Sequence, residues 1–372
     1  MDFDGAAETT DQIEAGRGAL HRFATAGYAR SEPAILQPTA PFLELLGEEL
    51  KARLLLTGEG GEFCLRPEYT IPVCLEHLSA AKPGEQRQYS YFGPVFRAAD
   101  SASREARQVG LESFGRPDKE AADAEILALA LEGAALVGHR DLNVRMGDAA
   151  LLNEVLALLR VGPRDARRIR RTLAKGRPLR EALKAPAASP IHGGVLAALE
   201  KSDHAGAKAL VGDLLAISGI KPLGGRSIAE ISERLLAKAE SGAAEPLAGE
   251  RLAMIEHFLA IRGDPDEAAA SLRAFAKDAK LDLAHALDRL DLRIGFIAAR
   301  GLDVAKMAFA TDFLREFDYY TGFLFDAGRD HATYVGGGRY DALARALGAN
   351  AEVPAVGAAI WVGEPPKAGA GS

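Results

Sequence analysis

Strand-forming patterns are confined to the two ends of this chain, and residues 150–300 between them carry none. Residues 88–97 are rich in aromatics (Tyr89, Tyr91, Phe92, Phe96), and residues 108–114 alternate polar and apolar side chains. This predicts an antiparallel pair joined by the polar loop 98–103. Strand-like runs return only at residues 307–313, 323–327 and 354–362. Between these ends Ala, Leu, Arg and Glu dominate, in helix-sized blocks parted by residues 186–190, Gly224-Gly225 and Gly263-Asp264-Pro265. The two half-sheets are therefore expected to build one α+β domain from residues 1–150 and 300–364, around a mostly helical insertion at 151–299. Residues 365–372, rich in Gly, Pro and Ala, read as a flexible tail.

Within the first half, Ile13, Leu20 and Phe23 predict an amphipathic helix that stops at Gly27. Residues 28–36 read as a strand carrying Pro33, hence an edge or interface strand. A helix at 42–54, a strand at 62–67 ended by Pro67, and helices at 70–78 and 120–137 complete the half.

Composition removes several classes of function. The formal net charge of −7 over 372 residues argues against a general nucleic-acid coat. At 48% hydrophobic residues, a sizeable core is available. The two cysteines, Cys64 and Cys74, are too few for a disulfide framework or a four-thiolate zinc site, and read as buried free thiols in a reducing compartment. The start, Met1-Asp2-Phe3-Asp4-Gly5, lacks the basic and apolar regions of a secretory signal. No apolar run approaches the ~20 residues of a membrane span, so a cytoplasmic protein is expected. None of the glycine-rich phosphate loops, zinc-protease or serine-hydrolase motifs is present, and the eight histidines never fall at i, i+3 or i, i+4. No metal or cofactor is implied.

Four short segments nevertheless combine charge with aromatics. They are Leu65-Arg66-Pro67-Glu68-Tyr69-Thr70; Phe96-Arg97 followed by Gln108-Val109-Gly110-Leu111-Glu112; Arg315-Glu316-Phe317-Asp318-Tyr319-Tyr320; and Gly336-Gly337-Gly338-Arg339-Tyr340-Asp341. On a strand, Gln108, Gly110 and Glu112 share one face, and the glycine leaves room for a ligand between two polar groups. The last segment reads as a flexible turn ahead of a helix.

Their order resembles the catalytic domain of histidyl-tRNA synthetase, a class II synthetase, over residues 1–150 and 300–364. The proline-bearing residues 28–38 resemble that family's dimer-forming motif. The resemblance implies an antiparallel sheet flanked by helices and a pocket for free histidine. Glu68, Thr70 and Gln108 would take the α-ammonium group. Arg97 and Arg315 would balance the α-carboxylate. Glu112, Tyr320 and Tyr340 would hold the imidazole nitrogens, with Tyr319 beside them in the same motif.

The sequence departs from the family on the nucleotide side. The loop after Arg97, Ala98-Ala99-Asp100-Ser101-Ala102-Ser103, lacks the expected basic, His and Glu groups. Gly363-Glu364-Pro365 places a proline where the family has an ATP-binding arginine. The chain ends soon after, so the family's anticodon-binding domain is expected to be missing. An amino-acid half without a nucleotide half is similar to the regulatory subunits of ATP phosphoribosyltransferase, synthetase-like paralogues without catalytic residues of their own. That likeness implies a hetero-oligomer with a short-form catalytic subunit, self-association as a dimer, and feedback control by histidine in histidine biosynthesis. A histidine-activating ligase and a stand-alone histidine or tRNA sensor are the alternatives. Residues 160–184 carry ten basic and two acidic side chains, a net +8 that leaves −15 on the rest. They read as a solvated helical face or as a surface for an anionic partner; without aromatic residues to stack on bases, tRNA is not the expected occupant.

Overall fold

The computed structural model describes residues 10–46, 48–82, 84–98, 105–183, 247, 249–315, 317 and 319–365. Residues 99–103 of the polar loop, Lys184, the breaks at 186–190 and 224–225, Glu316, Asp318 and the tail beyond Pro365 lie outside them.

Helix α1 (Thr10–Thr25) buries Ala19, Leu20 and Phe23, and the chain turns at Gly27 with φ +94°. The strand expected at 28–36 is divided between two sheets. β1 (Ala29–Arg30) is followed by a last rung, Ser31 N–H to Ser90 O at 2.8 Å, and β2 (Leu36–Pro38) begins beyond Pro33. Pro33 has no N–H with which to continue the ladder. The helix expected at 42–54 is also divided, into α2 (Thr39–Leu45) and α3 (Glu48–Lys51), because Leu46 is extended. β3 (Leu56–Thr57) and β4 (Phe63–Leu65) join β2 in a small antiparallel sheet of order β2-β4-β3. Helix α4 (Thr70–Ala80) follows.

β5 (Arg87–Phe96) and β6 (Glu105–Phe114) form the expected antiparallel pair, with Gln88 opposite Ser113 and Pro94 opposite Arg107. Helix α5 (Lys119–Leu136) is buried on most sides, lying on the sheet between α1 and a later helix. A strand not anticipated from the sequence, β7 (Asn143–Asp148), leads directly into α6 (Ala149–Leu158). The Asp148 carboxylate caps α6 by accepting from Ala150 N–H at 2.8 Å. Then come α7 (Pro163–Ala174), α8 (Leu179–Leu183), α9 (Gly249–Leu259), β8 (Arg262–Gly263), α10 (Pro265–Asp278) and α11 (Ala284–Ala299). The last part is β9 (Ala308–Ala310), β10 (Phe323–Arg329), β11 (Ala332–Arg339), α12 (Leu343–Ala346) and β12 (Ala355–Val362).

The main sheet has nine strands in the order β1-β5-β6-β12-β11-β10-β7-β9-β8. Its central strands are antiparallel; β1 pairs with β5, and β7 with β9, in parallel. β6 pairs with β12, Glu112 opposite Gly357, joining the two ends of the chain: β1, β5, β6 and β7 come from residues 1–150, β9 to β12 from 300–364, and β8 from between them. One face packs Val109, Leu111, Val356, Ala358 and Ile360 against α5. Helices α10 and α11 enter the same core through Leu272, Phe275, Leu290 and Ile297, and β8 pairs with β9. The strand-poor middle of the sequence thus contributes both core and a sheet edge. Cys64 and Cys74 are buried free thiols. Among the described residues no helix is long and apolar enough to cross a membrane.

The glycine-rich residues 336–338 lie in β11 rather than in a flexible turn. Arg339 leaves the strand on the α5 side, where Asp123, fully buried, accepts from Arg339 Nε at 2.9 Å and from Arg293 Nε at 2.8 Å. Arg293 reaches Asp148 at 3.0 Å, and Arg339 reaches Asp341 at 2.9 Å. Burial works against both guanidinium charges, but the aspartates outweigh it and hold the two arginines above their ordinary pKa. Removing one partner from such a network leaves the other charge buried and uncompensated. Asp123→Ala should therefore lower urea-unfolding stability at pH 7 by about 3–5 kcal/mol. Arg273→Ala, at the exposed pairs with Asp288 and Asp291, should leave unfolding stability nearly unchanged.

Candidate functional site

The sheet face opposite α5 carries Gln108, Gly110 and Glu112 and, with α4 and a set of tyrosines, forms a cleft of about 790 Å³. Its floor and its first wall come from one short stretch. Pro67 ends the strand segment, and the Glu68 carboxylate accepts from Thr70 N–H at 2.8 Å and Ile71 N–H at 2.9 Å. Glu68 thereby satisfies the first free donors of α4, which fixes its position at the cleft wall. Burial pushes its carboxyl up to about 7, against the pull of those two N–H groups and of Arg97.

Glu112 is fully buried one layer deeper. Thr70 Oγ1 donates to its Oε1 at 2.8 Å, the Tyr340 hydroxyl donates to its Oε2, and the Tyr91 hydroxyl lies 3.5 Å from Oε1. Burial pushes Glu112 up to about 8, with Tyr340 and Thr70 opposing and Glu68 adding to the rise. Two of the glycines are explained here. A Cβ on Gly357 would overlap Glu112 Oε2, and one on Gly336 would overlap the Arg315 guanidinium. The backbone must approach both charged groups closely, and only glycine permits it.

The cationic side is built by Arg97 and Arg315. Arg97 Nε donates to Pro67 O at 2.8 Å, and its guanidinium lies 5.1 Å from the Trp361 ring centroid. Burial lowers its pKa to about 10. Arg315 Nη1 makes a long contact of 3.4 Å to Phe325 O, while its Nε is buried without a partner. Gln108 Oε1 is likewise buried and unpartnered. Tyr319 and Tyr320 close the wall with ring centroids 4.9 Å apart; burial raises both hydroxyls, Tyr320 to about 12.

Of the nine expected residues, Glu68, Thr70, Arg97, Gln108, Arg315, Tyr319 and Tyr320 line the cleft. Glu112 and Tyr340 stand behind it, joined to it through Thr70. Three residues outside the expected set support the site. Arg66 donates to Pro33 O at 2.5 Å and Pro94 O at 2.9 Å, with its guanidinium 4.1 Å from the Tyr69 ring. Tyr69 stacks on Tyr91 at 4.2 Å. Tyr91 shares its strand parity with Tyr89, a signal already present in the aromatic-rich run. For Arg66 the only hint was its place beside Pro67 and Glu68. Among the described residues no group of three or more His, Cys, Asp or Glu is placed to hold a metal ion.

A nine-stranded sheet with this face of acid, arginine and tyrosine side chains defines a protein of the histidyl-tRNA synthetase fold. The family model for histidyl-tRNA synthetase matches residues 4–364. A histidine–tRNA ligase subunit from Alicyclobacillus acidocaldarius superposes with a TM-score of 0.59 at 23% identity, covering 97% of this chain and 93% of its own. A Bacillus halodurans structure described as an ATP phosphoribosyltransferase regulatory subunit/histidyl-tRNA synthetase gives 0.62 at 18% identity, covering 95% and 77%. Sequence relatives narrow the class. The ATP phosphoribosyltransferase regulatory subunit of Mesorhizobium japonicum is 39% identical over 89% of this chain and 91% of its own length. That of Allorhizobium ampelinum is 38% identical over 92% and 94%. The chain belongs to the family of ATP phosphoribosyltransferase regulatory subunits.

The raised carboxyls carry a stability signature. In the unfolded chain both ionise near 4.5, whereas in the fold they hold their protons to about 7 and about 8. Their contribution to stability is complete below pH 4.5 and is lost as pH rises through the folded-state values. Glu112→Gln should flatten the fall in urea-unfolding stability between about pH 5 and about pH 8 that the unsubstituted protein shows.

Proposed function

We propose that this chain is the non-catalytic regulatory subunit of a two-component ATP phosphoribosyltransferase at the first step of L-histidine biosynthesis, and that its cleft binds free histidine as the feedback signal. The observation that carries the reading is the pair of buried, unpartnered polar atoms, Gln108 Oε1 and Arg315 Nε, on residues that line one cleft with Glu68 and Arg97. An amino acid brings the matching groups. Its ammonium suits Glu68, Thr70 and Gln108, and its carboxylate suits Arg97 and Arg315. The imidazole would meet Tyr320 at the tyrosine wall, with the Glu112–Tyr340 pair acting from behind through Thr70. A site that pairs both ring nitrogens rejects isosteres lacking them, because its own polar groups would be left unpaired.

The absence of catalysis is supported by Pro365, which lines the cleft where the synthetase resemblance would have an arginine. A proline supplies neither charge nor N–H toward a triphosphate. Self-association is supported by exposed apolar side chains on the small sheet and beside it: Ile35, Leu36, Leu43, Leu56 and Phe63. Histidine alters the partner's rate only to the extent that it binds the two functional states of the assembly unequally.

The experiment mixes this protein with a short-form catalytic subunit and follows phosphoribosyl-ATP formation with and without histidine. The two should co-elute, the rate should rise on assembly, and histidine should change it; a subunit indifferent to this chain would refute the reading. In calorimetry, Glu112→Ala should weaken histidine binding by about 2 kcal/mol, roughly 30-fold, by freeing the Thr70 and Tyr340 hydroxyls that it holds behind the cleft.

A further inference from the structure

We propose that the exposed basic stripe of α7 is a docking surface for an acidic face of the partner protein. The proposal rests on the reading above, which gives this chain a protein partner. In α7, Ile169 and Leu173 are buried in the main core, and Arg170 Nη1 donates to Asn153 Oδ1 on α6 at 2.6 Å, so the helix is held in one orientation. At 3.6 residues per turn, Arg164, Arg167, Arg168, Arg171 and Lys175 fall within an arc of about 100° on the opposite side. They extend along the axis for about 16 Å. Arg164, Arg167, Arg171 and Lys175 are exposed. Asp165 pairs with Arg168 at 3.3 Å, but among the described residues no acid pairs with Arg164, Arg167 or Lys175.

This arrangement is unfavourable for an isolated helix. Cations recur at i, i+3 and i, i+4, where like charges repel, and Arg164 sits in the first turn, against the positive end of the helix dipole. An acidic partner surface would relieve both. Bases would find no aromatic residue to stack on between residues 160 and 184. A lipid surface would find no apolar side chain to take up, because the apolar face of α7 is spent on the core. The stripe also ends at the site: Ala174 lines the histidine cleft, and Leu173 and Ala174 line a neighbouring cavity of about 880 Å³. A partner on α7 is therefore placed beside the cleft whose occupancy it would report.

The test uses the full chain and a short-form catalytic subunit, with association measured by biolayer interferometry at about 50 and about 300 mM NaCl. The triple variant Arg164→Glu, Arg167→Glu, Lys175→Glu should associate at least about 30-fold more weakly at low salt and lose the salt dependence of the unsubstituted chain. Its own histidine affinity should stay within about twofold, since these residues lie outside the cleft lining. Unchanged association of the variant would overturn the proposal and leave the regulatory reading standing. So would loss of retention on a single-stranded RNA probe with subunit association intact. Failure of the unsubstituted chain to associate would instead sink the regulatory reading and the proposal together.

Discussion

Asp123 is a fully buried carboxylate that receives two guanidinium groups from far along the chain. Arg339 comes from the central strand β11 and Arg293 from α11, so one side chain on α5 ties the first half of the sequence to the second. The chain could not bury three such groups separately. Each is affordable only because the others are present and because Asp148 and Asp341 complete the charge balance. The network also sets the register of the site, since Arg339 turns toward α5 while the next residue, Tyr340, turns toward Glu112. Functional cleft and structural network are the two faces of one strand end.

On the cleft side the physics is reversed. The charges there are left incompletely matched: two carboxyls pushed toward neutrality by burial, an arginine with an unpartnered Nε, and a glutamine with an unpartnered oxygen. Buried polar groups without partners cost stability, and proteins retain them where a ligand completes the set. The structural network is closed within the chain, whereas the cleft keeps polar groups that the described residues leave without partners.

The paired strands β5 and β6 were legible in the sequence because aromatic and polar residues alternate along them, and the same alternation brought Gln108, Gly110 and Glu112 to one face. Seven cleft residues were legible through charged and aromatic clusters. Four strands were not: the two-residue β3 and β8, and the longer β7 and β11. β11 contains three successive glycines, which locally favour a turn, and is a strand because Arg315 and the neighbouring backbone require the space that side chains would fill. β7 alternates only over Asn143, Val144, Arg145 and Met146 before Gly147 and Asp148, too short a pattern to stand out, and is held by pairing with β10 from the far end of the chain. Asp123 and Arg293 carry no local signal at all, since 170 residues separate them. What the sequence concealed is, beyond the two shortest strands, an interaction between distant parts of the chain.

The regulatory role proposed for the cleft requires that it hold free histidine. Equilibrium dialysis of labelled L-histidine against the full chain measures that without requiring the partner. Saturable binding at one histidine per chain, undiminished by an excess of the other amino acids, is the predicted result. Absence of saturable binding, or displacement by amino acids lacking an imidazole, would contradict it.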